Sequence, residues 1–399
     1  MMRAGRHGAV ALLMIAQFFY AWGWSTADVL RPQVQAALGL NLTQVGAGYS
    51  AQVVGTVIGA WLISRLAQHA GAAWAITVMM LGYGLAVIAV AYVTSLWAFV
   101  AVRFIYGLFA GGIFPVTVAV YVALYPPHAR GRVASAVDAC FYLAVIGLGL
   151  AVARIPPNDW RLILWLGGLP SILLAPLALL LVPATRFLPE QPRSDSMRGG
   201  LLRADVRAKT IGFVVLMGAN TFGYQCFIGW LTTFLKDVRH FDQHGVGTVI
   251  ATLYSVNVAA TFLWGWLVDR FGRRTGMLGP MLCATAIALV LSFDLPPAQT
   301  GILAALYGLG FAATVCLGPW IAEMFPADLR LSATSLFQWG RLVSLFTPLI
   351  TGALALQAGL PTAMALGIAA FGLSTLVWWW LPETLNRERT APPHRVPGQ

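Results

Sequence analysis

The sequence is a succession of apolar runs, most of them about 20 residues long, separated by short polar segments or Gly/Pro breaks. A helix of about 20 apolar residues crosses the roughly 30 Å hydrocarbon core of a bilayer. A backbone in lipid must satisfy its own hydrogen bonds, and long apolar runs do so as helices. The runs therefore predict an all-α membrane protein with about twelve transmembrane helices. The candidate spans are residues 9–32, 45–66, 73–93, 97–121, 133–154, 161–182, 211–235, 246–268, 276–293, 299–321, 332–354 and 360–381.

The composition favours lipid over water as the surrounding solvent. Hydrophobic residues make up 59% of the chain and charged residues only 10%, whereas a soluble protein carries about a quarter charged residues. The first apolar run has no clear small-residue cleavage site, so we interpret it as a retained helix rather than a signal peptide. The four cysteines lie in apolar segments without metal-ligand spacing, so we expect neither a metal site nor a disulfide framework.

The net charge of +11 comes mostly from arginines at the ends of the apolar runs. With a cytoplasmic N-terminus, the inner segments hold about eighteen Lys and Arg residues and the outer segments about five, in line with the positive-inside rule. This bias predicts an integral membrane protein, in a bacterial cytoplasmic membrane, with both termini in the cytoplasm. No basic patch has interleaved aromatic residues, so we expect no nucleic-acid partner.

A long polar stretch and an internal repeat divide the chain. The stretch Thr185–Lys209 contains prolines, a glycine pair and mixed charge. "VALYPPHARGR" at 122–132 matches "IAEMFPADLRL" at 321–331, and "AWLISRLAQH" at 60–69 matches "GWLVDRFGRR" at 265–274. Two related halves can rock about a site at their interface, which is typical of transporters. The predicted organisation is a six-helix half at 1–184, a cytoplasmic linker at 185–209, a six-helix half at 210–384 and a cytoplasmic tail at 385–399.

Five stretches carry signatures of a known transporter family: "GWLVDRFGRR", "RFIYGLFAGGIFP" at 103–115, "RFLPEQP" at 186–192, "LPET" at 381–384, and "EMFPADLR" at 323–330 followed by "GRL" at 340–342. Together they resemble the major facilitator superfamily over nearly the whole chain. The branches that they most resemble are the aromatic-acid and carboxylate (metabolite) proton symporters and the sugar porters. The resemblance implies the major facilitator fold, with two pseudo-symmetric six-helix bundles that transport by alternating access.

Charged residues inside the spans are the proton-coupling candidates, because charge in lipid is costly. Asp28 lies about one turn from the outer end of the first span and Arg103 about two turns into the fourth, at a similar depth. The resemblance implies that both spans line the cavity. We therefore expect an Asp28–Arg103 pair that separates when Asp28 takes a proton. The alternatives are a static pair and an Asp28 that simply reaches interfacial water. Asp138, about two turns into the fifth span, is a second proton-coupling candidate or a partner for an inner-loop arginine.

The substrate-binding candidates are polar and aromatic groups within the spans. Arg103 and Arg341 each suit a carboxylate, which a guanidinium binds through two parallel hydrogen bonds. The alternative for Arg341 is a buried structural partner of a backbone carbonyl or of an acid such as Glu323. Trp320 and Glu323 are three residues apart and share a helix face, so we expect them to line the inner part of the cavity. The alternative is an interfacial Trp and an acid paired with a loop arginine. Neutral hydrogen bonds from one sector of the seventh span would come from Asn220, Tyr224 and Gln225.

The loop after the eighth span is the gating candidate. The resemblance implies that Asp269 holds the cytoplasmic side closed by contacting the start of the fifth span in the opposite half. The first-half copy has Ser64 in place of this acid, so we expect an asymmetric latch; the alternative is a topology signal alone. The gating candidates are Gly265, Asp269, Arg270, Gly272, Arg273 and Arg274, with Arg130 and Arg132 at the start of the fifth span.

These features predict a proton-coupled secondary transporter of a small organic anion, an aromatic acid or another carboxylate. The alternatives are an efflux antiporter for drugs, a sugar transporter of the same superfamily, and a transporter-like sensor. The chain contains no HExxH, GxSxG or P-loop motif, so we expect no enzyme activity and no cofactor, with the proton gradient as the driving force. The expected partners are protons, a small-molecule substrate and the lipid bilayer, and we expect a monomer.

Overall fold

A computed structural model describes residues 3–125, 127–182, 200–326 and 345–384, together with residues 329, 333, 336, 342 and 343. All regular secondary structure in this part of the chain is helical, and short 3-10 or π turns extend several of the helices. The α-helices are α1 (Arg3–Val29), α2 (Arg31–Leu38), α3 (Leu42–Ala70), α4 (Ala72–Ala89), α5 (Leu96–Ala110), α6 (Ile113–Leu124), α7 (Pro127–Arg154), α8 (Arg161–Leu174), α9 (Leu177–Leu181), α10 (Arg207–Thr233), α11 (Gln243–Phe271), α12 (Leu278–Ser292), α13 (Pro297–Phe311), α14 (Leu317–Met324), α15 (Thr347–Ala358) and α16 (Leu360–Trp380).

The prediction of an all-α membrane protein is confirmed. Within the described ranges, 10 helical segments are long and apolar enough to cross a membrane, and each corresponds to a predicted span. The predicted span 161–182 is instead broken into α8 and α9 at Ala175 and Pro176, since proline cannot donate the helical hydrogen bond. The predicted span 332–354 falls mostly outside the described residues and continues into α15. The number of twelve therefore stays a prediction.

Two helices at equivalent positions of the halves begin and end in the same way. α3 and α11 each have 29 residues, and each starts at a side-chain cap. The side chain of Asn41 accepts the backbone N–H of Gln44, and the side chain of Asp242 accepts the backbone N–H of Gly245. Each ends at a glycine with positive φ, 93° at Gly71 and 102° at Gly272, a conformation that side chains disfavour. The repeat seen in the sequence thus extends to the helix ends.

The two halves meet closely at one end of the bundle. We name this the outer end; it carries the α2–α3 and α10–α11 connections, and the positive-inside rule predicts it to be extracytoplasmic. Here α7 crosses α11 with the backbones almost touching: a methyl group on Gly247 would lie 2.4 Å from the carbonyl oxygen of Gly149. On the other side α3 crosses α15, where a methyl group on Gly46 would lie 2.9 Å from the carbonyl oxygen of Pro348. These two crossings form the outer seam.

The distribution of the apolar cores shows that the opposite, inner end is built differently. One core combines the first half with the outer part of the second half, for example Val145 with Phe234 and Ile250. A separate core fills the inner part of the second half around Trp264 and Trp378, and among the described residues it contains none before Leu201. The halves are therefore packed together at the outer end, as in a conformation closed on that side.

The outer seam should not tolerate a side chain at Gly247. A valine there must push α7 and α11 apart, since its Cβ would also lie 2.6 Å from the Cβ of Ala153, and overpacking of this kind costs about 1–3 kcal/mol. We expect G247V to lengthen the distance between spin labels at A37C and A298C, two exposed outer-end positions in opposite halves. G372V is the matched control, because a Cβ at Gly372 meets nothing within 4 Å. An unchanged distance in G247V would contradict the seam.

Candidate functional site

Glycines on α3 and α5 set the position of Arg103. A methyl group on Gly107 would lie 2.2 Å from the backbone oxygen of Gln52, and one on Gly59 would lie 2.1 Å from the backbone oxygen of Leu108. Small residues at these positions let the two helices pack backbone to backbone. As a result, the side-chain oxygen of Gln52 comes within 3.3 Å of Arg103 Nη1.

Arg103 is buried, with 1% of its surface exposed. Its Nη1 donates to the carbonyl oxygen of Gly23 (3.3 Å), to Thr26 Oγ1 (3.1 Å) and to Gln52 Oε1. Its Nε and Nη2 are buried and have no acceptor among the described residues. The N–H bonds of Nε and Nη2 point the same way in a guanidinium, so this edge has the geometry that binds a carboxylate through two hydrogen bonds.

Asp28 makes its ion pair with Arg31, not with Arg103. Asp28 Oδ1 lies 2.6 Å from Arg31 Nη2, and both side chains are buried. The expected Asp28–Arg103 pair is thus wrong for this conformation, because the residue three positions along is already within reach across the break between α1 and α2 at Leu30. Arg31 was not among the candidates named from the sequence, although its spacing of three residues from Asp28 was a usable signal.

Asp28 also connects the two halves. Its Oδ1 accepts a hydrogen bond from Gln225 Nε2 at 3.1 Å, and its backbone oxygen accepts one from Thr232 Oγ1 at 2.7 Å. The guanidinium of Arg31 lies over the ring of Trp230, 4.2 Å from the centroid, a cation–π geometry. A cavity between the halves adjoins Asp28; it is lined by Ser25, Val29 and Val145 from the first half and by Tyr224, Ile228, Leu231, Thr232, Ile250, Leu253 and Tyr254 from the second.

The charges of this cluster do not balance. Among the described residues, the buried charged side chains around Asp28 are two guanidinium groups, Arg31 and Arg103, and one carboxylate. Arg31 also has two buried nitrogens, Nε and Nη1, without an acceptor in that set. A buried charge without a counter-charge costs several kcal/mol, so the cluster carries a positive surplus that favours an additional anion.

The three candidates on α10 have different surroundings. Tyr224 lines the cavity, and its hydroxyl lies 3.2 Å from that of Tyr254. Gln225 bonds to Asp28 as described above. Asn220 does not reach this cluster: its Nδ2 donates to Ser374 Oγ at 2.7 Å and to a backbone oxygen of its own helix, so it ties α10 to α16. Asn220 therefore joins two helices of the second half in this conformation, and its role in substrate binding stays a prediction.

Asp138 lies in a second cavity, separate from Asp28. The cavity lies between α1, α6 and α7, and its polar lining is formed by Gln17, Thr117, Tyr121 and Asp138. Gln17 is eleven residues inward of Asp28 on α1, which places this cavity about 17 Å from the Asp28 level. Asp138 has no ion pair among the described residues, so its proton-coupling role stays a prediction.

The inner end of the second half holds the other charged cluster. Arg273 pairs with Glu323 and with Asp269, each at 2.6 Å. Trp320 is buried against Trp378, with ring centroids 5.5 Å apart, and its Nε1 donates to a backbone oxygen. Neither Trp320 nor Glu323 lines the cavity beside Asp28, and Glu323 is paired with a loop arginine, as the alternative describes. Their predicted place at the inner part of the cavity stays a prediction.

Glu383, in the "LPET" stretch after α16, holds this loop in place. Its carboxylate accepts the backbone N–H groups of Arg273 and Arg274, each at 2.9 Å. Gly272 makes room for it, since a methyl group there would lie 2.6 Å from Glu383 Oε2. Arg270 instead lies over the ring of Trp266, with its guanidinium 5.5 Å from the centroid.

The remaining candidates are Gly265, Arg130, Arg132 and Arg341. A Cβ on Gly265 would meet nothing within 4 Å. The side chains of Arg130 and Arg132, and residue Arg341, lie outside the described residues. The recorded ion pair of Asp269 stays within the second half, and the predicted contact with the start of the fifth span stays a prediction.

Glu323 should stabilise the fold in a pH-dependent way. Burial alone would raise the pKa of Glu323, but hydrogen bonds from Arg273 and Thr384 and the charge of Arg273 outweigh it, so the pKa lies below its ordinary value of 4.5. Such a carboxylate stabilises the folded state above its unfolded pKa, and this contribution is lost as pH falls through the folded pKa. We expect E323Q to cost about 1–3 kcal/mol at pH 7, with the difference from wild type shrinking below pH 4.5.

Thermal unfolding in detergent measures this effect. D269N is the matched control. It removes Asp269, the other partner of Arg273, and the side chain of Asp269 is 70% exposed. Exposed pairs contribute about 0–1 kcal/mol, so D269N should unfold close to the wild type. Equal losses in the two variants, or a loss in E323Q that does not depend on pH, would contradict this account of Glu323.

Comparison with known proteins places this arrangement in a family. The sequence profile of the Major Facilitator Superfamily matches residues 13–246 and 213–397. A Haemophilus influenzae protein, named provisionally as a metabolite transport protein, is 28% identical over 352 residues, 84% of this chain and 85% of its own. A gentisate transporter of Corynebacterium glutamicum is 24% identical over 366 residues, 86% of this chain and 81% of its own. A high-affinity hexose transporter of Saccharomyces cerevisiae is 24% identical over 434 aligned positions, 87% of this chain and 75% of its own.

Solved structures share the fold. A D-xylose–proton symporter superimposes with a TM-score of 0.75 at 15% identity, covering 95% of this chain and 98% of its own. The nucleoside transporter NupG gives the same TM-score and identity, covering 93% and 98%. All of these proteins are membrane transporters, and the chain is a transporter rather than an enzyme. With a family profile that spans nearly its whole length and a matching fold, the chain belongs to the Major Facilitator Superfamily.

Proposed function

We propose that this transporter moves a small organic anion together with a proton, and that an aromatic carboxylate is its preferred substrate class. The observation that carries the proposal is the Nε–Nη2 edge of buried Arg103, which has no acceptor among the described residues. In that part of the chain, its cluster holds two guanidinium groups and one carboxylate. A substrate carboxylate would supply the missing counter-charge and occupy that edge with two hydrogen bonds.

Asp28 is the proposed proton site. It is the buried carboxylate of the cluster and it adjoins the cavity between the halves. When Asp28 takes a proton, Arg31 loses its counter-charge, and the affinity of the cluster for an anion rises. Proton and anion then favour each other's binding, which is the thermodynamic requirement for coupled transport in one direction.

Aromatic side chains near the cavity support the substrate class. Tyr224 and Tyr254 line the cavity. Tyr20 and Trp24 on α1 and Tyr49 on α3 form a chain of ring contacts, 5.9 and 5.8 Å between centroids, outside its lining. Flat rings of this kind pack well against an aromatic substrate. The likeness to a transporter named for gentisate, an aromatic acid, agrees with this class.

A sugar is the second candidate, because a hexose transporter is among the relatives. A neutral sugar has no charge to offer, so it would leave the positive surplus of Arg31 and Arg103 in place. The same argument weighs against efflux of cationic drugs, which the surplus would repel. Competition by glucose or by a lipophilic cation therefore serves as the discriminating measurement.

Uptake of labelled gentisate into proteoliposomes with an imposed inward pH gradient tests the proposal. We expect the gradient to accelerate wild-type uptake, D28N to lose that acceleration, and R103K to raise KM about tenfold or more. A charged hydrogen-bond pair contributes about 1.5–3 kcal/mol, and lysine cannot form the two parallel bonds. D159N and R154K are matched controls at exposed outer positions.

Two results would contradict the proposal. One is uptake in D28N that still responds to the gradient as in the wild type. The other is glucose or xylose uptake that exceeds gentisate uptake and is unaffected by R103K, which would establish the sugar alternative.

A further inference from the structure

Gln225 is fully buried at the contact between the halves. Its side chain lies along α10 toward Asp28, and it can do so because residue 229 is a glycine: a methyl group there would lie 2.4 Å from Gln225 Nε2. Nε2 donates to Asp28, whereas Oε1 is buried with no donor among the described residues. The amide therefore makes one directed contact, and that contact is with the proposed proton site in the opposite half.

One oxygen atom joins both halves. Asp28 Oδ1 accepts from Arg31 in the first half and from Gln225 in the second. The neighbouring contacts across the halves, Thr232 to the backbone oxygen of Asp28 and Arg31 over Trp230, lie at the same level. These contacts around Asp28 therefore join the halves at the outer end, in addition to the two glycine crossings of the outer seam.

We infer that Gln225 is a positioning residue that makes closure of the outer seam depend on the charge of Asp28, and that it is not a substrate ligand. This inference rests on the proposed function, in which Asp28 takes the proton. A hydrogen bond to a carboxylate is about twice as strong as one to a neutral carboxylic acid. Ionised Asp28 therefore holds Gln225 and keeps the seam closed, and protonated Asp28 releases it.

This dependence provides a rule for coupling. An empty carrier with ionised Asp28 can close its outer seam, so it can change its access side without cargo. A carrier with only the proton loses the Asp28–Gln225 contact and stays open outward, so it does not carry the proton alone. An anion that pairs with Arg31 and Arg103 brings its own negative charge between the halves, so the loaded carrier closes through the substrate and not through the Asp28–Gln225 contact.

The other groups near Asp28 do not change charge in the range of the test. The charged and titratable side chains around it in the described residues are Arg31, Arg103, Tyr224 and Tyr254, with Tyr49 beside Arg31. Arginine and tyrosine ordinarily titrate near pH 12 and pH 10, well above pH 8. A change of the outer-end distance between pH 5 and 8 that disappears in D28N is therefore assigned to Asp28.

Spin-label distances between A37C and A298C, measured without substrate in nanodiscs from pH 8 to pH 5, test the inference. The wild type should shift toward the longer outer-end distance as pH falls. D28N should show the long distance at every pH. Q225L, which keeps the side-chain bulk but lacks the amide, should lose the pH response. Q225N keeps a polar amide but is one carbon shorter, so the amide does not reach Asp28, and it should behave like Q225L. The same result in an apolar and a polar variant would not come from a folding defect of one of them.

Q357L, at an exposed glutamine near the outer end of α15, is the matched control and should keep the wild-type response. A full pH response in both Q225L and Q225N overturns the inference. If gentisate uptake is proton-driven while that response persists, the inference fails and the proposed function stands. If the wild type shows neither a pH response nor proton-driven uptake, the proposed function fails and the inference fails with it.

Discussion

The carboxylate of Asp28 is the interaction on which the rest of the site depends. It neutralises Arg31, receives Gln225 from the other half, and lies at the level where Thr232 bonds to the backbone of α1. Burial makes each of these contacts sensitive to its charge, because an unpaired charge in a low-dielectric interior is expensive. In the proposed function, a single proton on Asp28 therefore alters both the charge balance of the cavity and the contact between the halves.

Glycines make such a site possible in a helical membrane protein. The α3–α5 crossing puts Gln52 beside Arg103, and the α7–α11 crossing at Gly149 and Gly247 brings the halves into backbone contact. In lipid, helices gain little from apolar burial against each other, so close packing supplies the attraction. A contact without interlocking side chains can also separate, which a transporter with alternating access requires.

The sequence predicted the fold class well and the site in part. Apolar runs and motif spacing report helices and family directly, and intramembrane charge identified Asp28 and Arg103. Helical spacing alone does not tell which neighbour a side chain meets. Trp320 and Glu323 were assigned to the cavity because they share a face, but that face turns toward Trp378 and Arg273. Arg31 was overlooked because a cation near a helix end is usually a topology signal.

The two charged clusters differ in a way that assigns them different tasks. The recorded ion pairs and hydrogen bonds of the inner cluster, around Arg273, Glu323 and Glu383, join residues of the second half, and Asp269 at its edge is largely exposed. Contacts within one half stabilise that half but change little when the halves separate. The outer cluster spans the halves through Asp28 and Gln225, so its energy changes with every opening and closing. In the proposed function, control of access by a proton therefore belongs to the outer cluster, and the inner one stabilises the second half.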